Sequence, residues 1–251
     1  MPDINKANRQ TCDVDIRILS TKAPFLFFDT ANTTTTGISA DSVYAMAKGT
    51  RKIAFQNPIT GTMTIEAQVY PFKFFSLFSD GDIQSSAAYA VTKTVTCETA
   101  GTLALTVPTG QEIKAGTVFV YPEDSYGEAD ARIEGSFADG TFTATAAADI
   151  AKDSKYKVGY IVTRTTGVKK IEFNNKKIPK DYYITQTTVD KDEDGAYTPF
   201  VMTAYKATIQ RNFELSFNSE GDPASVTMTF DLMEDKEGRV LDMVELTGDA
   251  S

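Results

Sequence analysis

The sequence predicts a mainly β protein: two packed antiparallel sheets, as a sandwich or barrel, with one short flanking helix and a small inserted β-sandwich. Three observations point there. First, apolar and polar residues alternate over many short segments, the period of a strand with one dry and one wet face. Val226, Met228, Phe230 and Leu232 alternate with Ser225, Thr227, Thr229 and Asp231. Met63, Ile65, Ala67 and Val69 alternate with Thr62, Thr64, Glu66 and Gln68. Second, residues 71–81 switch to helical spacing. Pro71 suits a first turn because its φ is preset and its missing N–H is not needed there. Phe72, Phe74, Phe75, Leu77 and Phe78 follow, and Gly81 supplies the stop. So short a helix is unstable alone and must press its phenylalanines, Phe72, Phe75 and Phe78 among them, onto a sheet. Third, residues 94–160 are rich in Thr, Ala and Gly, and turn signals such as Pro108-Thr109-Gly110 and Ala138-Asp139-Gly140 cut them into short strands.

In chain order, residues 1–13 are polar and aperiodic and read as an arm. Residues 14–18 and 25–28 read as strands, with Pro24 at the entry of the second. Residues 29–50 form a long connection, of the kind that is usually functional. Within it, Ser39 or Asp41 is placed to cap a brief helix over Val43, Tyr44 and Met46, ended by Gly49. Residues 52–56 are a strand, and 57–61 a turn. Residues 83–92 lead into the middle region, with strands expected at 103–107, 117–121, 131–135, 141–145 and 155–162. These make an inserted sandwich of 93–163, or else extend the main sheets. Strands follow at 168–173, 181–189, 199–210, 213–218 and 224–233, and residues 239–246 are the last apolar segment. The alternation of Phe213, Leu215 and Phe217 with Glu214 and Ser216 repeats the one-dry-face pattern. The resulting division is 1–92 with 164–251 around 93–163.

Composition removes several functions. Thirty-four acidic against 25 basic residues leave a net charge of −9, so the chain does not grip nucleic acid by neutralising phosphates. No histidine is present, which removes the commonest general base and transition-metal ligand. Two distant cysteines, Cys12 and Cys97, make no disulfide framework and are expected as free thiols. No apolar run reaches the roughly 20 residues of a membrane helix. The first residues lack the apolar core of a secretory signal, so synthesis in a cytoplasm is expected. Asp190-Lys191-Asp192-Glu193-Asp194-Gly195 imitates the start of a calcium loop, but the twelfth position is Val201 rather than glutamate. It reads as a solvated hairpin turn. No phosphate loop, nucleophile elbow or zinc pattern occurs, no cofactor is implied, and the chain reads as structural rather than enzymatic.

The arm of residues 1–13, the long connection before Gly49-Thr50-Arg51-Lys52-Ile53, the block GTMTIEAQVYPFKFFSLF and the ending FNSEGDPASVTMTFDLMEDKEGRVLDMVEL together resemble the major tail tube proteins of bacteriophages. The resemblance covers about residues 1–92 and 164–251, and the middle resembles Ig-like inserts of virion proteins. It implies a virion tail component, assembled in the host cytoplasm. Six copies would form a ring, their inner sheets would join into one barrel, and DNA would pass through the lumen without tight binding. Rings would stack through the N-terminal arm, the long loop 30–51 and the C-terminal segment. Carboxylates on the inner wall repel phosphate, and Glu66, Glu214 and Asp231 are the candidates for that wall. The rival expectations are a capsid decoration, a surface β-sandwich binding module and a carboxylate-pair hydrolase using, for instance, Glu66 with Glu214.

Overall fold

The computed structural model describes residues 5–215, 220 and 223–246. In chain order the strands are β1 (Lys6–Ala7), β2 (Asp13–Ile18), β3 (Pro24–Phe28), β4 (Ala31–Ser39), β5 (Ser42–Ala47), β6 (Thr50–Gln56) and β7 (Thr60–Ala67), then a 3-10 helix, Phe72–Phe78. Next come β8 (Ala87–Thr96), β9 (Thr102–Ala104), β10 (Gln111–Ile113), β11 (Phe119–Pro122), β12 (Gly135–Ala138), β13 (Thr141–Ala144) and β14 (Lys155–Arg164). The last are β15 (Asp181–Asp192), β16 (Tyr197–Ile209), β17 (Val226–Met233) and β18 (Leu241–Glu245). Residues Ile83–Ile171 make one compact unit, and the chain on either side of them makes another. The chain is mainly β, as the alternation predicts.

The two-part unit is built on one antiparallel sheet in the order β3-β2-β15-β16-β17-β7-β4, with β1 added to β15 and β18 added to β16. β3 and β4 end opposite sides of that path, yet only Asp29 and Thr30 join them. Laid flat, six strand spacings would separate them by about 29 Å. The joining peptide reaches about 11 Å. The sheet therefore rolls over until its halves face each other. Across the interior, Thr36 Oγ1 of β4 donates to Gln186 Oε1 of β15 at 3.0 Å. The dry faces meet inside: Val14, Ile16, Met63, Ile65, Tyr182, Ile184, Met228 and Phe230 are fully buried. In register, Phe230 lies opposite Met63 and Met228 opposite Ile65. The alternation stops at Ala67; Val69 lies beyond the strand and is exposed.

The Pro71–Gly81 stretch is helical but wound as 3-10, with the Phe74 N–H on the Pro71 carbonyl at 2.9 Å. Gly81, at φ 83°, returns its N–H to the Ser76 carbonyl at 3.0 Å, a conformation that favours glycine. Phe74, Leu77 and Phe78 are buried, Phe75 is half-buried, and Phe72 sits exposed at the rim. Phe74 meets Phe28 edge-on, 6.0 Å between centroids, and Phe78 and Phe75 lean on Phe213. The helix so lines the interior that the rolled sheet leaves open.

Three expectations are corrected. The long connection 29–50 is not a loop, and no helix forms over Val43, Tyr44 and Met46. β4 pairs with the whole of β7 in the large sheet, and β5 pairs with β6 as a separate two-stranded ribbon. The run Thr33-Thr34-Thr35-Thr36 is β-branched and favours strand, and it covers the free edge of β7. Second, residues 168–173 are not a strand; only Lys170 forms a bridge, to Gln84. Third, residues 213–215 are not in a strand, and 216–218 lie outside the described residues.

The unit of residues 83–171 is a sandwich of its own. β14 pairs with β8 along all ten residues and with β10 and β11 on its other side, while β13 lies between β12 and β9. β8 begins at Ala87, inside a stretch expected only as a lead-in. Residues 131–135 hold the end of a short 3-10 turn and an Ile133–Val120 bridge before β12 starts. Leu103, Val120, Phe142, Ile150, Val158 and Tyr160 fill the space between the two sheets.

Candidate assembly surfaces

The wet face of the rolled sheet is continuous over β4, β7, β17 and β16. Glu66 on β7 is half-exposed, between Thr33 of β4 and Thr227 of β17. Thr64 and Thr229, directly opposite, bring their hydroxyls to 3.2 Å. Asp231 stands opposite Thr62 on one side and Thr208 on the other, and its Oδ1 accepts from Gln210 Nε2 at 2.8 Å. Thr208 Oγ1 in turn donates to Asp181 Oδ1 at 2.6 Å, and Lys206 approaches Asp181 at 3.7 Å. Glu214 is exposed and lies outside any strand, but it lines a depression with Thr227 and Thr229. Its place beside Thr227 and Thr229 is thus set by the chain after β16. This surface is hydroxyl-rich, with spaced carboxylates and one lysine.

The residues 190–195 that imitate a calcium loop form the turn of the β15–β16 hairpin. Asp192 Oδ1 accepts the Ala196 N–H at 2.7 Å, and Gly195 takes φ 89°. Among the described residues no group of three or more acids or cysteines is arranged to hold a metal. No described helix is long and apolar enough to cross a membrane. Cys12 and Cys97 are both buried and free.

The described part of the N-terminal arm is seated beside that turn. Lys6 and Ala7 pair with Asp192 and Lys191, Asn5 donates to Glu193 at 2.9 Å, Asn8 donates to Asp190 at 2.9 Å, and Lys6 pairs with Glu245. β18 adds to β16 next to it. A tight turn aims β18: Arg239 holds Asp235 through Nη2 at 2.7 Å and donates its backbone N–H to the same carboxylate. These bonds hold the Asp235 carboxyl down at about 2. Just after the 3-10 helix, Asp80 is gripped by Lys177 at 2.7 Å, which lowers its pKa.

The sequence reading missed one surface. On the β5–β6 ribbon, Val43 lies opposite Phe55 and Ala45 opposite Ile53, so all four share a face. Val43, Ile53 and Phe55 are each more than half exposed. The signal was present as alternation in both strands, obscured by the turn-like 48–49 and by the alanines.

A family model, the YomU/Tube protein family, matches residues 9–245. No curated protein matches the chain.

Proposed function

Since the chain belongs to the YomU/Tube protein family, a phage tail tube family, it is a structural component of a virion tail, and we propose that six copies close into rings that stack into a DNA conduit. The observation that carries this reading is the wet face of β4, β7, β17 and β16. A lone molecule has no need of so wide a hydroxyl wall set with Glu66, Glu214 and Asp231. A shared channel does, because carboxylates repel passing phosphate and hydroxyls offer no cation to hold it. The net charge of −9 acts in the same direction. Sheets joined between copies also remove the free outer edges of β3 and β4, which otherwise invite unplanned pairing. The arm, the ribbon that replaces the loop 30–51 and the C-terminal segment are the connectors between copies and between rings. Assembly takes place in the host cytoplasm. The middle region is an Ig-like insert.

The test is an assembled structure by electron microscopy together with a charge reversal on the wall. Rings of six with Glu66 and Asp231 facing the lumen support the proposal. Tubes carrying E66K and D231K should form normally but slow DNA release and retain DNA at low salt. Tubes with both residues on the outer surface overturn it.

A further inference from the structure

The ribbon and the β15–β16 end of the same unit carry complementary surfaces. A two-stranded ribbon is marginal by itself in water, and here its apolar face, Val43, Ala45, Ile53 and Phe55, is bare. Its tip carries Lys48, Arg51 and Lys52 and no acid; none of the three makes an ion pair among the described residues. Arg51 lies over the Tyr44 ring at 4.2 Å, on the other face.

The second surface is the core-side face of β15, β16 and β18 where it outruns the core. Ile184 and Ala204, opposite each other, are fully buried. Two residues on, Gln186 lies opposite Met202, and Met202 lies opposite Met243. Next, Thr188 lies opposite Phe200, and Phe200 opposite Glu245. Phe200 and Met202 are only half-buried and Met243 is 59% exposed. Gln186 Nε2 is buried there with no hydrogen-bond partner. Asp190 and Glu245 continue this face beyond Thr188 and Phe200, and the turn adds Asp192, Glu193 and Asp194, against only Lys6 and Lys191, so an apolar strip with a net acidic edge complements the ribbon's apolar face and basic tip.

We infer that the β5–β6 ribbon of one copy lays its Val43, Ala45, Ile53 and Phe55 face on the Phe200, Met202 and Met243 strip of a second copy, with its basic tip against the acidic 190–194 turn. The inference rests on the ring reading and names a second contact between neighbours in the ring, beside the joined sheets. The ribbon does not fold back on its own sheet, since Val43, Ala45, Ile53 and Phe55 are all exposed. Register also says which neighbour receives it. The ribbon leaves β7 at its Thr60 end, where Gly61 pairs with Leu232 of β17. Past Met233, opposite Lys206, the same direction runs along β16 toward its start at Tyr197 and the 190–194 turn. Ribbon and acceptor thus leave the same end of the sheet. Copies side by side about an axis along the strands bring the two together, whereas copies stacked end to end face each other with opposite ends.

The experiment is disulfide trapping of the full chain carrying F55C and M243C, oxidised by copper phenanthroline; Cys12 and Cys97 are buried and silent. On a denaturing gel the expected product is a covalent ladder that stops at the number of copies in one ring. A monomer closed on itself, or a ladder running on past that number, overturns the assignment. So do tubes of normal appearance that give no cross-link, and that outcome leaves the tube reading standing. Unmodified protein that never assembles sinks the tube reading itself. As a second arm, K48E/R51E/K52E should raise the concentration needed for ring formation at least tenfold at low salt, with the thermal melt of the single chain unchanged. Adding D194K, an exposed acid of the same turn, should lower it again; failure to do so also overturns the pairing.

Discussion

β7–β17 and β5–β6 are both antiparallel pairs with one apolar face, and they differ only in what covers that face. In the first pair Met63, Ile65, Met228 and Phe230 have no exposure; in the second Val43, Ile53 and Phe55 keep more than half of theirs. The difference teaches that alternation records a dry face without recording whose chain dries it. A sheet face buried within the molecule contributes to folding. One left open contributes nothing until a partner arrives, and then contributes to assembly.

The comparison breaks most visibly at its aromatic residues. Phe230→Ala should cost about 3–5 kcal/mol of single-chain stability, because it empties a core site that the rigid sheet cannot refill. Phe55→Ala should change the same denaturant midpoint by less than about 0.5 kcal/mol, as befits a surface site. Chemical denaturation of dilute protein measures both. Equal losses would mean that the ribbon is part of the fold of its own chain.

How much of this was legible depends on residue type. In β7 and β17 the dry positions, Gly61 apart, are Met, Ile, Ala, Val, Phe and Leu and the wet ones, the terminal Met233 apart, Thr, Glu and Asp, so the faces separate in the sequence itself. In β4 the residues 33–36 are all threonine, and a face cannot be told from its opposite when both are written alike. β8 fails for a related reason: Ala87-Ala88-Tyr89-Ala90 has small residues where strand signals are large ones, and the strand is recognisable only through its full pairing with β14. The helix was legible from Pro71 and Gly81, but its 3-10 winding was not, since spacing over seven residues barely separates three from 3.6 per turn. Of the candidate wall, Glu66 and Asp231 follow from their strands, while Glu214 reaches the same surface without one.

A glycine in the other unit sharpens the contrast, because exposure and tolerance part company there. Gly135 of β12 is exposed, like the ribbon. A Cβ built on it would stand 2.3 Å from the Thr143 carbonyl oxygen and 2.5 Å from the Phe142 ring. Gly135→Ala should therefore destabilise the 83–171 unit by about 1–3 kcal/mol, the cost of overpacking against backbone that cannot yield. Hydrogen exchange resolves it by unit: faster exchange in β12 and β13, with β7 and β17 unaffected. Even protection across both units would remove the steric reading.

The smallest effect lies in the turn that aims β18 at the acceptor strip. Asp235 ordinarily titrates near 3.8, and in the folded chain it titrates at about 2, chiefly through its hydrogen bond from the Arg239 side chain. A carboxyl depressed on folding binds fewer protons in the folded state than in the unfolded one. Its contribution is thus complete above the unfolded value and is lost as pH falls toward the folded one. The window is about pH 4 down to pH 2. The turn is solvent-exposed, so the loss is local rather than global. Amide exchange in β18 should quicken across that window relative to β15, and Asp235→Asn should flatten the difference. Since β18 supplies Met243, the same variant should weaken ring formation slightly at neutral pH while Phe230 and its neighbours stay protected. Equal acid sensitivity of β15 and β18 would show that the turn does not hold β18 independently of the core.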